Sequence, residues 1–514
     1  MQESIFAFLA DPARHPHVRR IDTHAASVFL EGTRALKIKR AVRFPFLDYS
    51  TLEKRKAACE QEIKINLQFA PQLYRRVVPI TRNEDGSLSV DGGGTPVEYA
   101  VEMMRFDERK TIDQLARAGS LDPGLVDAVA EAIAASHVKA ARAPVDPWIE
   151  SIPKIIDDNT AALQAAGRFP YNDIARLGTT SHAAFSRIRD LLERRGRDGY
   201  VRRCHGDLHL ANIVLIDQGP VLFDAIEFDE KIASIDVLYD LAFPLMDLLR
   251  CGRPDAANAL LNRYLQVTPT QNLEAIEALP LFTSMRAAIR AHVLLARPHT
   301  NSNNTALIED AHAYFNLAEI LIPPKAPMLV AIGGLSGTGK SVLARALAPR
   351  VMPQPGAVVL RSDLLRKQLF ETDERDRLPT SAYRPEVNEQ VYELASLRAR
   401  LIVSQGHSAI VDAVFARENE RTTIRDVARA LNVRFVGLFL VTDLRIRQSR
   451  VMQRTADASD ATAEIARLQE RYDIGPVDWT IIDASGTPEA TLALCLTRIA
   501  SPEIPVPGPS STRN

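Results

Sequence analysis

Apolar positions change their spacing several times along the chain. From Val28 the string VFLEGTRALKIKR places short apolar segments on either side of Gly32, which predicts two short strands joined by a glycine turn. LEKRKAACEQEIKINLQFA, from Leu52, has helical spacing. RVVPI and VEYAVEMM return to strand patterning around a polar turn, NEDGSLSVDGGG. From Asp113 to Ile322 apolar residues recur mostly at helical intervals, and YVRRCHGDLHLANIVLIDQGPVLFDAIEFD interrupts them with alternating strands and turns. These patterns predict a small β-rich lobe followed by a larger helical one.

Beyond Pro327 the pattern is different. MLVAIGG, VVLRSD, SAIVDAVF, FVGLFLVTD and WTIIDASG are short apolar runs, separated by amphipathic stretches such as SVLARALA, LASLRARLIVSQG and IRDVARALN. Short apolar strands alternating with helices predict a parallel sheet covered on both faces, a doubly wound α/β domain. Between the halves lies IPPKAP, Ile322 to Pro327, with three prolines in six residues. The expected organisation is a first domain over 1–322, a linker over 323–327 and a second domain over 328–500. The tail 501–514, SPEIPVPGPSSTRN, is too poor in apolar residues to pack and is expected to be disordered.

Composition narrows the classes. With 46% hydrophobic and 25% charged residues among 514, the chain has the balance of a soluble globular protein of more than one domain. Lys and Arg total 63 against 64 Asp and Glu, so no overall field draws it to nucleic acid or an anionic membrane. Cys59, Cys204, Cys251 and Cys495 are too scattered for a zinc or disulfide framework. The N-terminal segment lacks the charge and apolar length of a signal peptide, and no apolar run reaches membrane-spanning length. A cytoplasmic protein is expected.

Gly334 to Ser341 reads GLSGTGKS, a full match to G-x-x-x-x-G-K-[ST] placed after a predicted strand and before a predicted helix. In such a loop the backbone around Gly334, Ser336, Gly337, Thr338 and Gly339 wraps the phosphates, Lys340 bridges β and γ oxygens, and Ser341 offers a hydroxyl to Mg2+. Asp363, Asp412, Asp443 and Asp483 end apolar runs, where carboxylates can face the ligand crevice of an open sheet. Asp363 and Asp443 precede helices and could equally serve as caps, and for Asp443 the cap is the preferred reading. Arg447, Arg450 and Arg454 share a helical face before a polar break, which reads as a mobile lid or as a solvated basic face.

With RSDLLRK, IVDAVF and RIRQSRVMQR, this half resembles the small-molecule P-loop kinases of the gluconate kinase, chloramphenicol phosphotransferase and zeta toxin group. The resemblance implies that Asp363 is the general base on the substrate hydroxyl, that Arg366 helps hold the substrate, and that Arg450 or Arg454 closes over ATP. Asp412 is the candidate carboxylate on the magnesium side.

In the first half, His205, Asp207 and Asn212 fit H-x-D-x-x-x-x-N, and Asp224 follows a strand. Asp207 is placed to accept a hydroxyl proton, and Asn212 and Asp224 to hold a metal. His205 is read as structural. The string CHGDLHLANIVLIDQGPVLFDAIEFD resembles the aminoglycoside phosphotransferase and choline kinase-like branch of the protein-kinase fold, over roughly residues 15 to 320. By that resemblance Lys37 contacts the ATP phosphates and Glu62 is its helix partner, with Lys39 and Glu60 as alternatives. A kinase Gly-rich loop is missing; DTHAAS, Asp22 to Ser27, is the candidate turn in its place. VEYAVEMM would supply adenine contacts through its backbone.

The order of the halves resembles bacterial proteins described as bifunctional aminoglycoside phosphotransferase-like and ATP-binding. That resemblance implies two kinase domains using ATP and Mg2+ on small-molecule hydroxyl acceptors; the apolar pattern argues against a membrane partner and the near-neutral charge disfavours long nucleic acid. A polycationic acceptor fits poorly, because SMRAAIRAHVLLARPHT carries Arg286, Arg290, His292, Arg297 and His299. A solvated basic helix would account for the same residues. The competing readings are a nucleotide-sensing unit that regulates the other, or a P-loop half acting on a nucleotide sugar or nucleic-acid end.

Overall fold

The computed structural model describes residues 2–44, 47–295, 304–453 and 458–500. The chain forms two compact units, Met1–Pro323 and Pro324–Asn514.

The first unit opens with helix Gln2–Leu9. Its sheet runs, in spatial order, through Arg19–Asp22, Ala26–Glu31, Arg34–Lys39, Thr95–Met104, Tyr74–Arg82 and Leu88–Val90, all antiparallel. Alternation along Arg34–Lys39 divides the side chains between the faces. Leu36 and Ile38 pack with Ile5, Phe6 and Leu9 of the first helix. Ala35 packs on the other face with Cys59 of helix Leu52–Asn66, so Lys37 and Lys39 point toward that helix too. Thr51 caps the helix by accepting from the Lys54 amide at 3.3 Å. Within the predicted polar turn, Leu88–Val90 pairs with Tyr74–Arg82 as a sixth strand.

The larger lobe is built from helices that include Pro123–Lys139, Val145–Ala166, Tyr171–Arg197, Val237–Arg250 and Leu279–Leu295. Two small antiparallel pairs lie among them, Ile213–Ile216 with Gly219–Leu222 and Val201–Arg203 with Ser234–Asp236. This is the bilobal protein-kinase-like fold.

In the second unit five parallel strands stand in the order Val358–Arg361, Ala409–Asp412, Met328–Gly333, Arg434–Val441 and Thr480–Asp483. Val330, Ile332, Ile410 and Leu438 form the core with Leu343 and Leu347 of helix Lys340–Leu347. Met328–Gly333 is central, so GLSGTGKS and Asp412 meet where the strands end, the crevice of a P-loop NTPase fold.

The four cysteines are free, and Cys59, Cys204 and Cys495 are buried. Among the described residues no helix is long and apolar enough to cross a membrane.

Candidate active sites

The first site is built on two lysines, Lys39 buried and Lys37 largely so. Lys37 Nζ donates to Glu62 at 2.8 Å and to Asp224 at 2.5 Å. Lys39 Nζ meets the other Glu62 oxygen at 2.5 Å and also pairs with Glu227. Glu62 is fully buried, whereas Glu60 is exposed and faces Lys56 at 3.8 Å. The helix therefore brings Glu62 and not Glu60 to the lysines. Burial alone would lower both ammonium groups, but Asp224 and Glu62 at Lys37, and Glu62 and Glu227 at Lys39, outweigh it and hold both above the ordinary lysine value. Burial would likewise raise Asp224, yet Lys37 holds it below the usual carboxylate range.

Asp224 sits in the left-handed region at φ 62°, one that Asp and Asn tolerate better than other side chains. Its neighbour is clamped there: Asn66 accepts from the Ala225 amide at 2.8 Å and donates to the Ala225 carbonyl at 3.2 Å. The Asp224 amide donates to Tyr74 Oη at 3.2 Å. Sequence reasoning missed Asn66, Tyr74 and Glu227. Glu227 stood within DAIEFD, three positions after Asp224, but its partner is 188 residues away.

Asn212 Nδ2 donates to the Asp207 carbonyl at 2.9 Å and to Asp207 Oδ2 at 3.3 Å, which leaves the amide oxygen as its acceptor. The His205 and Gly206 amides donate to Asp240 at 3.2 and 2.9 Å. His205 Nε2 donates to the Phe223 carbonyl at 2.9 Å, and burial lowers its pKa, so the ring is a neutral prop. The loop is thus anchored from below and leaves the Asp207 side chain 42% exposed. The turn from Asp22 to Ser27 joins the first two strands of the sheet, with Asp22 accepting from Ser27 Oγ at 2.7 Å.

Five of the predicted residues are therefore held in two groups, Lys37 with Glu62 and Asp224, and Asp207 with Asn212. The carboxylates of Asp207 and Asp224 and the amide oxygen of Asn212 are the hard donors that Mg2+ prefers.

In the second unit, Ser341 Oγ donates to Asp412 Oδ2 at 2.5 Å, and Arg361 Nε lies 3.6 Å from the same oxygen. A hydroxyl and a carboxylate converging below the phosphate loop are again a donor set suited to Mg2+. Lys340 Nζ donates to the Leu335 carbonyl at 3.2 Å, and Thr338 Oγ1 to the same carbonyl at 2.8 Å. Gly337 is at φ 89°, and a Cβ there would lie 2.6 Å from the Arg447 carbonyl oxygen. Only glycine allows that approach.

Asp363 does not cap its helix. Ser362–Leu369 starts after Arg361 with no side-chain cap bond, whereas Asp443 does cap, accepting from the Arg445 amide at 2.8 Å. Burial first, then Asp412, raises the Asp363 pKa against the pull of Arg361. Arg366 is buried, donates to the Ala382 carbonyl at 2.6 Å and lies over the Tyr383 ring at 4.9 Å, within the field of Asp363.

The arginine helix divides. Arg447 is 1% exposed and points inward, donating to the Ser336 carbonyl at 3.4 Å and pairing with Glu470, so it is neither a lid arginine nor part of a solvated face. Arg450 donates to the Gly486 carbonyl at 3.0 Å. Arg454 lies outside the described residues. Arg450, Gly337, Gly339, Val342, Ala484 and Pro488 are among the residues lining a largely apolar cavity of about 270 Å³ beside the phosphate loop. Gln469 also escaped the sequence reading, although its side chain accepts from the Ser336 amide at 2.7 Å.

Residues 21–279, half of the chain, match the sequence model of the phosphotransferase enzyme family. The chain belongs to that family. Residues 329–473 of this phosphotransferase match the model described as an AAA domain. An uncharacterised protein of Mycobacterium tuberculosis, strain H37Rv, is 29% identical to it over 460 residues, covering 88% of this chain and 89% of the relative. The choline kinase of Cryptosporidium parvum covers 62% of the phosphotransferase and 94% of itself, at 9% identity and a TM-score of 0.39. The gluconokinase of Sinorhizobium meliloti covers 34% and 95%, at 18% identity and a TM-score of 0.25. The phosphotransferase has the kinase-like fold in one unit and the P-loop kinase fold in the other, and its activity is ATP-dependent phosphoryl transfer.

Proposed function

We propose that each unit transfers the γ-phosphoryl group of its own ATP to a hydroxyl group of a small metabolite. The acceptor oxygen bonds to the γ-phosphorus, the bond from that phosphorus to the β–γ bridging oxygen breaks, and ADP leaves. The hydroxyl proton passes to Asp207 in the first unit and to Asp363 in the second. Lys37, held by Glu62, and Lys340 neutralise charge on the phosphates, while Arg366 orients the second acceptor and Arg450, followed by Arg454, closes on the nucleotide. Mg2+, held by Asn212 and Asp224 in one unit and by Ser341 and Asp412 in the other, would spread the phosphate charge. The observation that carries this reading is the paired set of contacts, Lys37 with Glu62 and Asp224 in one unit and Ser341 with Asp412 in the other. Each unit brings candidate residues of its own into contact, which favours two working sites over a silent sensor.

The direct test is a metabolite screen for ATP-dependent phosphorylation on the whole chain, coupled to calorimetric titration with AMPPNP and Mg2+. Two nucleotides per chain are expected. Asp224→Asn preserves the left-handed backbone but removes a charge, so Mg2+-dependent binding at one of the two sites should weaken about tenfold or more. One nucleotide per unaltered chain would revive the regulatory reading.

The proposed boundaries are 1–322 and 328–500 around a linker at 323–327, with 501–514 as a tail, in a cytoplasmic protein. Fragments 1–324 and 325–514 should each express as folded, cooperatively melting species. Insolubility of both would count against the division.

A further inference from the structure

Two arginines with unused donors lie behind the Asp207 loop. Helix Leu279–Leu295 carries Arg286 and Arg290 one turn apart on one face. Arg286 is 6% exposed, with its guanidinium 3.9 Å from the Tyr239 ring centroid and 4.7 Å from that of Phe243. Its Nε donates to the Tyr239 carbonyl at 3.3 Å, while Nη2 is buried with no partner. It is therefore not a solvated cation. Arg290 is half-buried, bonds Tyr314 and leaves its Nε buried without a partner. Among the described residues neither arginine has a carboxylate within ion-pair distance. His292 turns elsewhere, to Asn159 at 3.0 Å.

Each arginine reaches the Asp207 loop through one or two side chains. The Phe243 ring under Arg286 also packs edge-on against His209 at 5.6 Å, and His209 Nε2 lies 3.5 Å from Asp207 Oδ2. Tyr314, the partner of Arg290, donates to Asp247 at 3.1 Å, and Asp247 accepts from the Leu210 amide at 3.1 Å. Asp207 itself contributes to the field at Arg290. The nearby acids are already engaged: Asp247 as described, Asp240 by His137 and two loop amides, and Asp310 by Arg250. A buried guanidinium with unspent N–H groups is costly unless a ligand completes it, and oxyanions complete it best. A cationic acceptor would meet repulsion here instead.

We propose that the first unit phosphorylates an anionic hydroxy compound, whose phosphate or carboxylate group is held by Arg290 and Arg286 while its hydroxyl faces Asp207. This rests on the reading of Asp207 as the acceptor-side base. The test uses the full chain carrying Lys340→Ala, which silences the second unit, on a panel of polyols and sugars, their phosphomonoesters, the matching sugar acids, and amino alcohols including choline. Turnover should be confined to the anionic members, and the phosphomonoester and acid arms separate the two anion types. Arg290→Met should raise the acceptor KM at least about tenfold, with kcat and the KM for ATP little changed. Arg286→Lys, which keeps charge but loses the fork, should have a smaller effect in the same direction. Better turnover of neutral or cationic members, or an unchanged KM in Arg290→Met, overturns the proposal and leaves the kinase reading standing. If no member turns over, inorganic phosphate is titrated against the same protein saturated with AMPPNP and Mg2+. Phosphate binding that weakens in Arg290→Met then keeps the anion site and sinks the kinase reading, whereas equal binding, or none in either protein, sinks the site.

Discussion

Asp207→Asn lowers phosphoryl transfer by the first unit by about two to four orders of magnitude and leaves its ATP affinity near that of the unaltered chain. The substitution keeps side-chain volume, and the Asp207 backbone carbonyl still accepts from Asn212. What disappears is the group that takes the hydroxyl proton as the acceptor oxygen bonds to phosphorus. Lys37, Glu62 and Asp224 hold one another without any contact to Asp207, so nucleotide binding has no reason to follow. Single-turnover kinetics on the full chain with Lys340→Ala as background separates the two quantities. Transfer at an undiminished rate would remove Asp207 as the base, and a parallel loss of ATP affinity would assign it to binding.

Asp363→Asn is expected to produce a comparable loss in the second unit together with an unchanged or raised melting temperature at neutral pH. The direction follows from burial, which raises the Asp363 pKa above its unfolded value. A carboxyl of that kind favours folding in its neutral form, so its contribution is full below the unfolded pKa and is lost as pH rises through the folded one. At neutral pH the ionised group therefore works against the fold, and Asn relieves that without removing a helix cap, since none exists there. The same shift predicts that second-unit activity falls as pH drops through the raised pKa, because only the ionised carboxylate accepts a proton. Melting curves and pH–rate profiles of the chain with Asp207→Asn as background check both arms. A mutant that melts lower yet keeps its turnover would make Asp363 structural.

Much of this was legible in the chain because the chemistry sits on local spacing. GLSGTGKS and HGDLHLAN each occupy eight contiguous residues, and the strand and helix periods around them placed both motifs on the correct turns. Lys37 and Lys39 share a strand face by alternation alone, so sequence could offer both but not divide their partners. That division depends on Glu62 being buried between them, a fact of packing. Asn66, Tyr74, Glu227 and Gln469 were invisible for the same reason, since each meets its partner across more than 130 residues. Helix Gln2–Leu9 is too short for periodicity to announce it, and it is helical because Ile5, Phe6 and Leu9 cover the back of a sheet. Arg447 shows the reverse error: an arginine at lid spacing looks reactive until its burial is known.

That burial bears on how inherited variants of this protein would behave. Arg447 ties the Ser336 carbonyl to Ala466 and Glu470, so the phosphate loop borrows its shape from a side chain that no substrate meets. A shorter residue leaves the half-buried Ser336 carbonyl and the buried Ala466 carbonyl without their donor, a defect of folding whose weight grows with heat. Alleles at this codon would be conditional, permissive in the cold and null when warm, and a genetic screen scored at one temperature would file a scaffold residue among the catalytic ones.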